Sequence, residues 1–163
     1  MNTTNRHILV LCTGNSARSQ MAEGWFRHLG GGTVTVASAG TAPRPAVHPL
    51  AIEAMREVGI DISAHWPKLV QDVMDTPYDY VVTVCDHARD TCPVLPGTHQ
   101  SLHWGFDDPA ADETDSAMLT FRRIRDQIAD TIRTWLATGQ SPTHSLGGDD
   151  SPEPVVGSAP EGP

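Results

Sequence analysis

The chain has 163 residues, 39% hydrophobic and 19% charged, which is enough apolar content for a packed core and excludes wholesale disorder. Eleven Lys+Arg against 20 Asp+Glu give a formal net charge of −9, which argues against a protein that grips nucleic acid or an anionic membrane through a basic face. No apolar run approaches the ~20 residues of a membrane span. The opening residues lead straight into the short run Ile8-Leu9-Val10-Leu11, so a cytoplasmic protein without a signal peptide is expected.

His7 to Leu11 reads as a strand buried on both faces. Between Ser19 and Leu29, Met21, Ala22, Trp25, Phe26 and Leu29 fall on one helix face, and Gly30-Gly31-Gly32 ends the helix. Thr33 to Ala37 is β-branched and predicts a second strand. Pro49 suits a first helical turn, with Leu50, Ile52, Met55 and Val58 following before Gly59. Tyr80 to Val84 predicts a third buried strand and Gln100 to Trp104 a weaker fourth. Phe121, Ile124, Ile128, Ile132 and Trp135 mark the final helix. This alternation calls for an α/β fold: a four-stranded parallel sheet with helices on both faces, in three α/β/α layers. Residues 1–138 form the expected domain. Residues 139–163, with five prolines, five glycines and four acids, form an expected disordered tail.

Ligands of such folds bind at the C-terminal ends of strands, where Cys12 and Cys85 both fall. The first strand runs into Cys12-Thr13-Gly14-Asn15-Ser16-Ala17-Arg18-Ser19, a Cys-x5-Arg segment between strand and helix. Seven residues can curl so that backbone N–H groups of Thr13, Gly14, Asn15, Ser16, Ala17, Arg18 and Ser19 face an anion, backed by the helix N-terminus. Gly14 and Asn15 are expected to supply left-handed backbone. Arg18 offers a two-pronged clamp for a tetrahedral oxyanion. The same field is expected to lower the Cys12 thiol. A drop of ~3 units from ~8.5 makes it almost wholly thiolate and takes roughly 4 kcal/mol. A bare Cys-x5-Arg is a weak motif, and a buried cysteine before an ordinary turn is the bland alternative.

The stretch Val10-Leu-Cys-Thr-Gly-Asn-Ser-Ala-Arg-Ser-Gln-Met-Ala-Glu23 resembles the active-site loop of the low-molecular-weight tyrosine phosphatase fold, and is most similar to the arsenate reductases built on it. The resemblance spans roughly residues 6–136. It implies that Cys12 is the nucleophile, that Arg18 binds the oxyanion, that Ser19 supports the thiolate and that Asn15 shapes the loop.

Two further thiols, Cys85 and Cys92, are seven residues apart. On a continuous helix they would be separated by ~10.5 Å, beyond the ~7 Å Cα separation a disulfide allows. Pro93, Pro96 and Gly97 argue against a firm helix here. Zinc is disfavoured because the spacing is not that of a Cys-x2–4-Cys knuckle, and no resident metal is expected. Val84-Cys-Asp-His-Ala-Arg-Asp-Thr-Cys-Pro93 resembles the resolving pair of thioredoxin-coupled arsenate reductases. That resemblance implies a Cys12, Cys85, Cys92 relay fed by thioredoxin with no cofactor, acting on arsenate, with phosphate or sulfate as analogues; separately, a monomer is expected.

Trp104-Gly-Phe-Asp-Asp-Pro109 follows the fourth strand. A carboxylic acid on such a loop can protonate a departing oxygen. In the family the acid immediately precedes the proline, which selects Asp108 over Asp107. Some relatives hold a monovalent cation with an asparagine, a glutamate and an aspartate. Asn15 and Glu23 match, but Lys68 stands where the aspartate is expected, and its ammonium is expected to take the ion's place. The competing readings are a phosphatase, which needs only Cys12, Arg18 and Asp108, and a non-catalytic redox sensor. Mycothiol or glutaredoxin are alternative reductants, and weak phosphatase side activity is expected.

Overall fold

The four apolar and β-branched runs form one parallel sheet: β1 (Arg6–Cys12), β2 (Val34–Gly40), β3 (Tyr80–Thr83) and β4 (Gln100–His103), in the order β2-β1-β3-β4. The computed structural model of the chain describes residues 5–91, 95, 97 and 99–142. Cys92, Pro93, Pro96 and the tail from residue 143 onward lie outside the described residues.

β1 is the centre of the molecule. Ile8, Leu9, Val10 and Leu11 are all 0% exposed. Successive strand side chains point to opposite faces, so such a run is possible only where both faces are covered. The cover comes from α1 (Arg18–Gly30), α2 (Pro49–Glu57), α3 (Asp86–Thr91) and α4 (Ala117–Thr138). α1 and α4 pack together, α2 packs against both, and α3 lies against β1 and β3. Phe26 of α1 stacks on Trp104, and Trp135 of α4 meets Phe26, Tyr80 and Trp104 edge-on. This aromatic cluster fixes α1, and hence the loop before it, against the sheet. Among the described residues no helix is long and apolar enough to cross a membrane.

Three boundaries differ from the sequence expectation. β2 runs on to Gly40 because Ser38, Ala39 and Gly40 are small enough to pair closely with β1, Cys12 opposite Gly40. The segment after Cys85 is helical, although prolines lie downstream. They fall beyond its last residue, and Cys85 caps its start, its Sγ accepting from Ala88 N (3.4 Å) and its carbonyl from Arg89 N (3.2 Å). The chain also remains packed past residue 138. Gly139 closes α4 with left-handed backbone (φ 73°), and Trp104 Nε1 donates to Ser141 Oγ at 2.7 Å.

A Cβ placed on Gly40 would collide with the Thr13 carbonyl oxygen and press on Asn15 N at 3.1 Å. Gly40→Ala is therefore expected to lower stability by roughly 1–3 kcal/mol. The urea midpoint checks this, and an unchanged midpoint would show that the strand has room.

Candidate active site

β1 delivers Cys12 and α1 begins at Arg18, so residues 13–17 must turn the chain from strand to helix. Asn15 makes the turn with φ 49°, the left-handed region that asparagine tolerates better than most residues. Gly14, expected to share that role, has no left-handed backbone. Its missing side chain serves space instead: a Cβ there would stand 3.1 Å from Arg44 Cγ and 3.3 Å from Arg44 Nε.

Residues 41–48 run as a strap along the outside of the turn. Thr41 N donates to Cys12 O (3.2 Å), Ala42 N to Thr13 O (2.9 Å), Arg44 N to Gly14 O (2.9 Å) and His48 N to Ser16 O (2.8 Å). Gln20 Nε2 donates to Asn15 O at 3.0 Å. In a planar trans peptide the C=O and the following N–H point in opposite directions. Holding these five carbonyls outward therefore turns the N–H groups of Thr13, Gly14, Asn15, Ser16 and Ala17 inward. The Asn15 N–H accordingly reaches Cys12 Sγ at 3.1 Å. No side chain caps the start of α1 and no acid lies in its first turn, so its leading amides also remain for an anion. No motif marks the strap. The one sign of it is the small run Ser38-Ala39-Gly40.

Cys12 is buried, 3% exposed. Burial pushes its thiol above the ordinary value, while the Ser19 hydroxyl and amide, Arg18 and the Asn15 amide pull it back. The net lowering expected from the sequence is thus reversed, because desolvation outweighs these donors. The donors are nevertheless aligned. Lys68 N–H donates to Asn15 Oδ1 at 2.8 Å, which fixes that amide's orientation. Asn15 Nδ2 then donates to Ser19 Oγ (2.7 Å) and Ser38 Oγ (3.0 Å). Ser19 Oγ, accepting from Asn15, shares a hydrogen bond with Cys12 Sγ at 2.9 Å, in which the hydroxyl donates once the sulfur is a thiolate. Ser38 passes its hydrogen to Glu23 Oε1 at 2.6 Å.

Glu23 is 5% exposed, and the charge directly on it is Arg27, at 2.6 Å. The Lys68 ammonium, expected in that place, feels the Glu23 charge but makes its own bond to Trp66 O at 3.0 Å and lies over the Trp66 ring. Arg27 lies one helical turn beyond Glu23 on α1, a spacing legible in the sequence. Among the described residues, no group of three or more metal-ligating side chains occurs.

Cys12, Arg18, Cys85 and Asp108 line one open pocket, together with Arg44 and His87. The Cys85 Sγ is joined to the loop by a 3.4 Å contact with Thr13 Oγ1. Arg18 donates to Phe106 O at 2.9 Å and lies 3.7 Å from Asp108 Oδ2. Asp108 also accepts from Ala110 N at 3.0 Å, which directs its carboxyl. Asp107 turns away to Arg123, 3.6 Å distant. Beneath Cys85, His103 bridges Thr83 Oγ1 (2.7 Å) and Asp86 Oδ1 (2.8 Å), tying the first turn of α3 to the ends of β3 and β4.

The family model described as low molecular weight phosphotyrosine protein phosphatase matches residues 7–143. An arsenate reductase of Halalkalibacterium halodurans is 47% identical over 135 residues, covering 82% of this chain and 96% of that protein. A solved arsenate reductase in the phosphate binding state superimposes with a TM-score of 0.68 at 32% identity, covering 81% of this chain and 97% of that one. A thioredoxin-dependent arsenate reductase of Corynebacterium glutamicum gives a TM-score of 0.62 at 30% identity, over 85% of this chain and 65% of that one.

Ser19→Ala removes a donor to the sulfur and leaves Cys12 buried. The Cys12 thiol pKa is expected to rise further, because the Ser19 hydroxyl is one of the groups that pull it down. The pH dependence of Cys12 alkylation measures this, and a coincident profile would refute it.

Proposed function

Because the chain belongs to the low molecular weight phosphotyrosine protein phosphatase family, as an arsenate reductase of that fold, we propose that it reduces arsenate to arsenite through a relay of Cys12, Cys85 and Cys92, with thioredoxin as electron donor. The observation that carries this reading is the pair of thiols, Cys12 and Cys85, opening on one pocket beside a ring of amides and an arginine. A phosphatase needs only the first.

Arsenate binds with its oxygens on the inward amides and Arg18. It exchanges its second proton near neutrality, so the arriving dianion is a base that can take the proton burial keeps on Cys12. The thiolate, steadied by Ser19, then attacks arsenic. Asp108 gives a proton to the departing oxygen, which leaves as water. The Cys85 thiolate attacks Cys12 Sγ and the S–As bond breaks, its electron pair passing to arsenic. Arsenic(V) becomes arsenic(III), arsenite departs, and a Cys12–Cys85 disulfide remains. Cys92 attacks Cys85, releasing Cys12 as a thiolate and forming a Cys85–Cys92 disulfide. Two electrons from thioredoxin restore both thiols. A reducing cytoplasm suits this chemistry, and the role is arsenic detoxification.

No Phe, Tyr or Trp side chain is among the described residues that line the pocket. This supports a small inorganic anion over an aryl phosphate, with residual phosphatase activity from Cys12, Arg18 and Asp108.

Cys92→Ser is expected to form one arsenite per enzyme and then stop, although thioredoxin and its reductase are present. Arsenite quantified against enzyme checks this. Unchanged steady-state turnover would refute the relay.

A further inference from the structure

We propose that Arg44 is a positioning residue of the same pocket, a second guanidinium that draws doubly charged tetrahedral oxyanions onto the loop beside Arg18. The proposal rests on the reading of the site as an oxyanion pocket, and extends it to a residue outside the Cys-x5-Arg segment.

Four observations converge on Arg44. It lines the pocket with Cys12 and Arg18 although it lies outside the loop, on the strap. Its stem crosses the face of Gly14, in the space where any other residue would carry a side chain. Its backbone is held by the bond from its N–H to Gly14 O, and Pro43 and Pro45 restrict the chain on either side. Among the described residues no carboxylate lies within ion-pair distance of its guanidinium, so that charge is not spent on a structural partner.

The need for such a charge follows from the whole chain. A dianion approaching a protein of net charge −9 is repelled at long range and enters only where local positive potential reverses that field. Arg18 is only 14% exposed in its side chain and already engages Phe106 O and Asp108. Arg44 is exposed, so it can meet the anion first.

The test uses the full chain, with inorganic phosphate as probe. The readout is protection of Cys12 from alkylation, which needs no reductase activity. In Arg44→Gln, the half-protecting phosphate concentration and the KM for arsenate should each rise about tenfold, with kcat within twofold and a shallower dependence of protection on sodium chloride. Arg44→Lys should recover most of the loss. Arg44→Met keeps the stem over Gly14 and removes only the charge. It should behave as Arg44→Gln does, and it replaces that variant if the glutamine disturbs the fold. Protection within twofold of wild type in both neutral variants would overturn the proposal and leave Arg44 an ordinary solvated charge. If wild type fails to turn over arsenate while protection still depends on Arg44, the reductase reading fails and the assignment of Arg44 stands.

Discussion

The site depends on the direction in which five peptide groups face. Left alone, the carbonyls of a tight turn can point anywhere that water can reach. Here the 41–48 strap and Gln20 bind them from outside, and the planarity of the peptide does the rest. The amide hydrogens that remain make a concave positive surface without any side chain. This arrangement costs little reorganisation when an anion arrives, because the dipoles are already oriented by bonds elsewhere. The close approach of strap and turn in turn depends on Gly40, where even a methyl group would not fit.

A second layer of order fixes the hydrogens around the sulfur. The Asn15 side chain is oriented by two donors to its Oδ1, the Lys68 N–H and Gln20 Nε2, and everything downstream follows from that. Ser19 accepts from Asn15 and keeps its own hydrogen free to turn to the sulfur, the direction that steadies a thiolate. Ser38 leads the other way, to the buried Glu23 carboxylate, which Arg27 neutralises. A buried carboxylate without that guanidinium would be a large unfavourable charge close to a site meant for anions.

Much of this was legible in the sequence. The period-breaking run His7–Leu11 marked the central strand, and the Cys12–Arg18 spacing marked the turn between strand and helix. Asp108 was separable from Asp107 only by resemblance. The geometry shows the physical difference, one facing the pocket and the other Arg123. What could not be read came from contacts distant in sequence. The strap is a proline-rich loop of no recognisable pattern, and Lys68 acts on Asn15 through its backbone, which is the same for every residue type. Arg27 on Glu23 was within reach, since residues four apart share a helix face, but the site resemblance pointed to Lys68. The sign of the Cys12 shift was missed because burial, unlike a motif, is a property of the assembled core.

His103 couples α3 to the sheet through Asp86, the first residue of the helix that Cys85 caps. A six-residue helix pinned at its beginning frays from its finish. Any loosening of this short helix therefore begins at Thr91, while the Cys85 sulfur keeps its place beside Thr13.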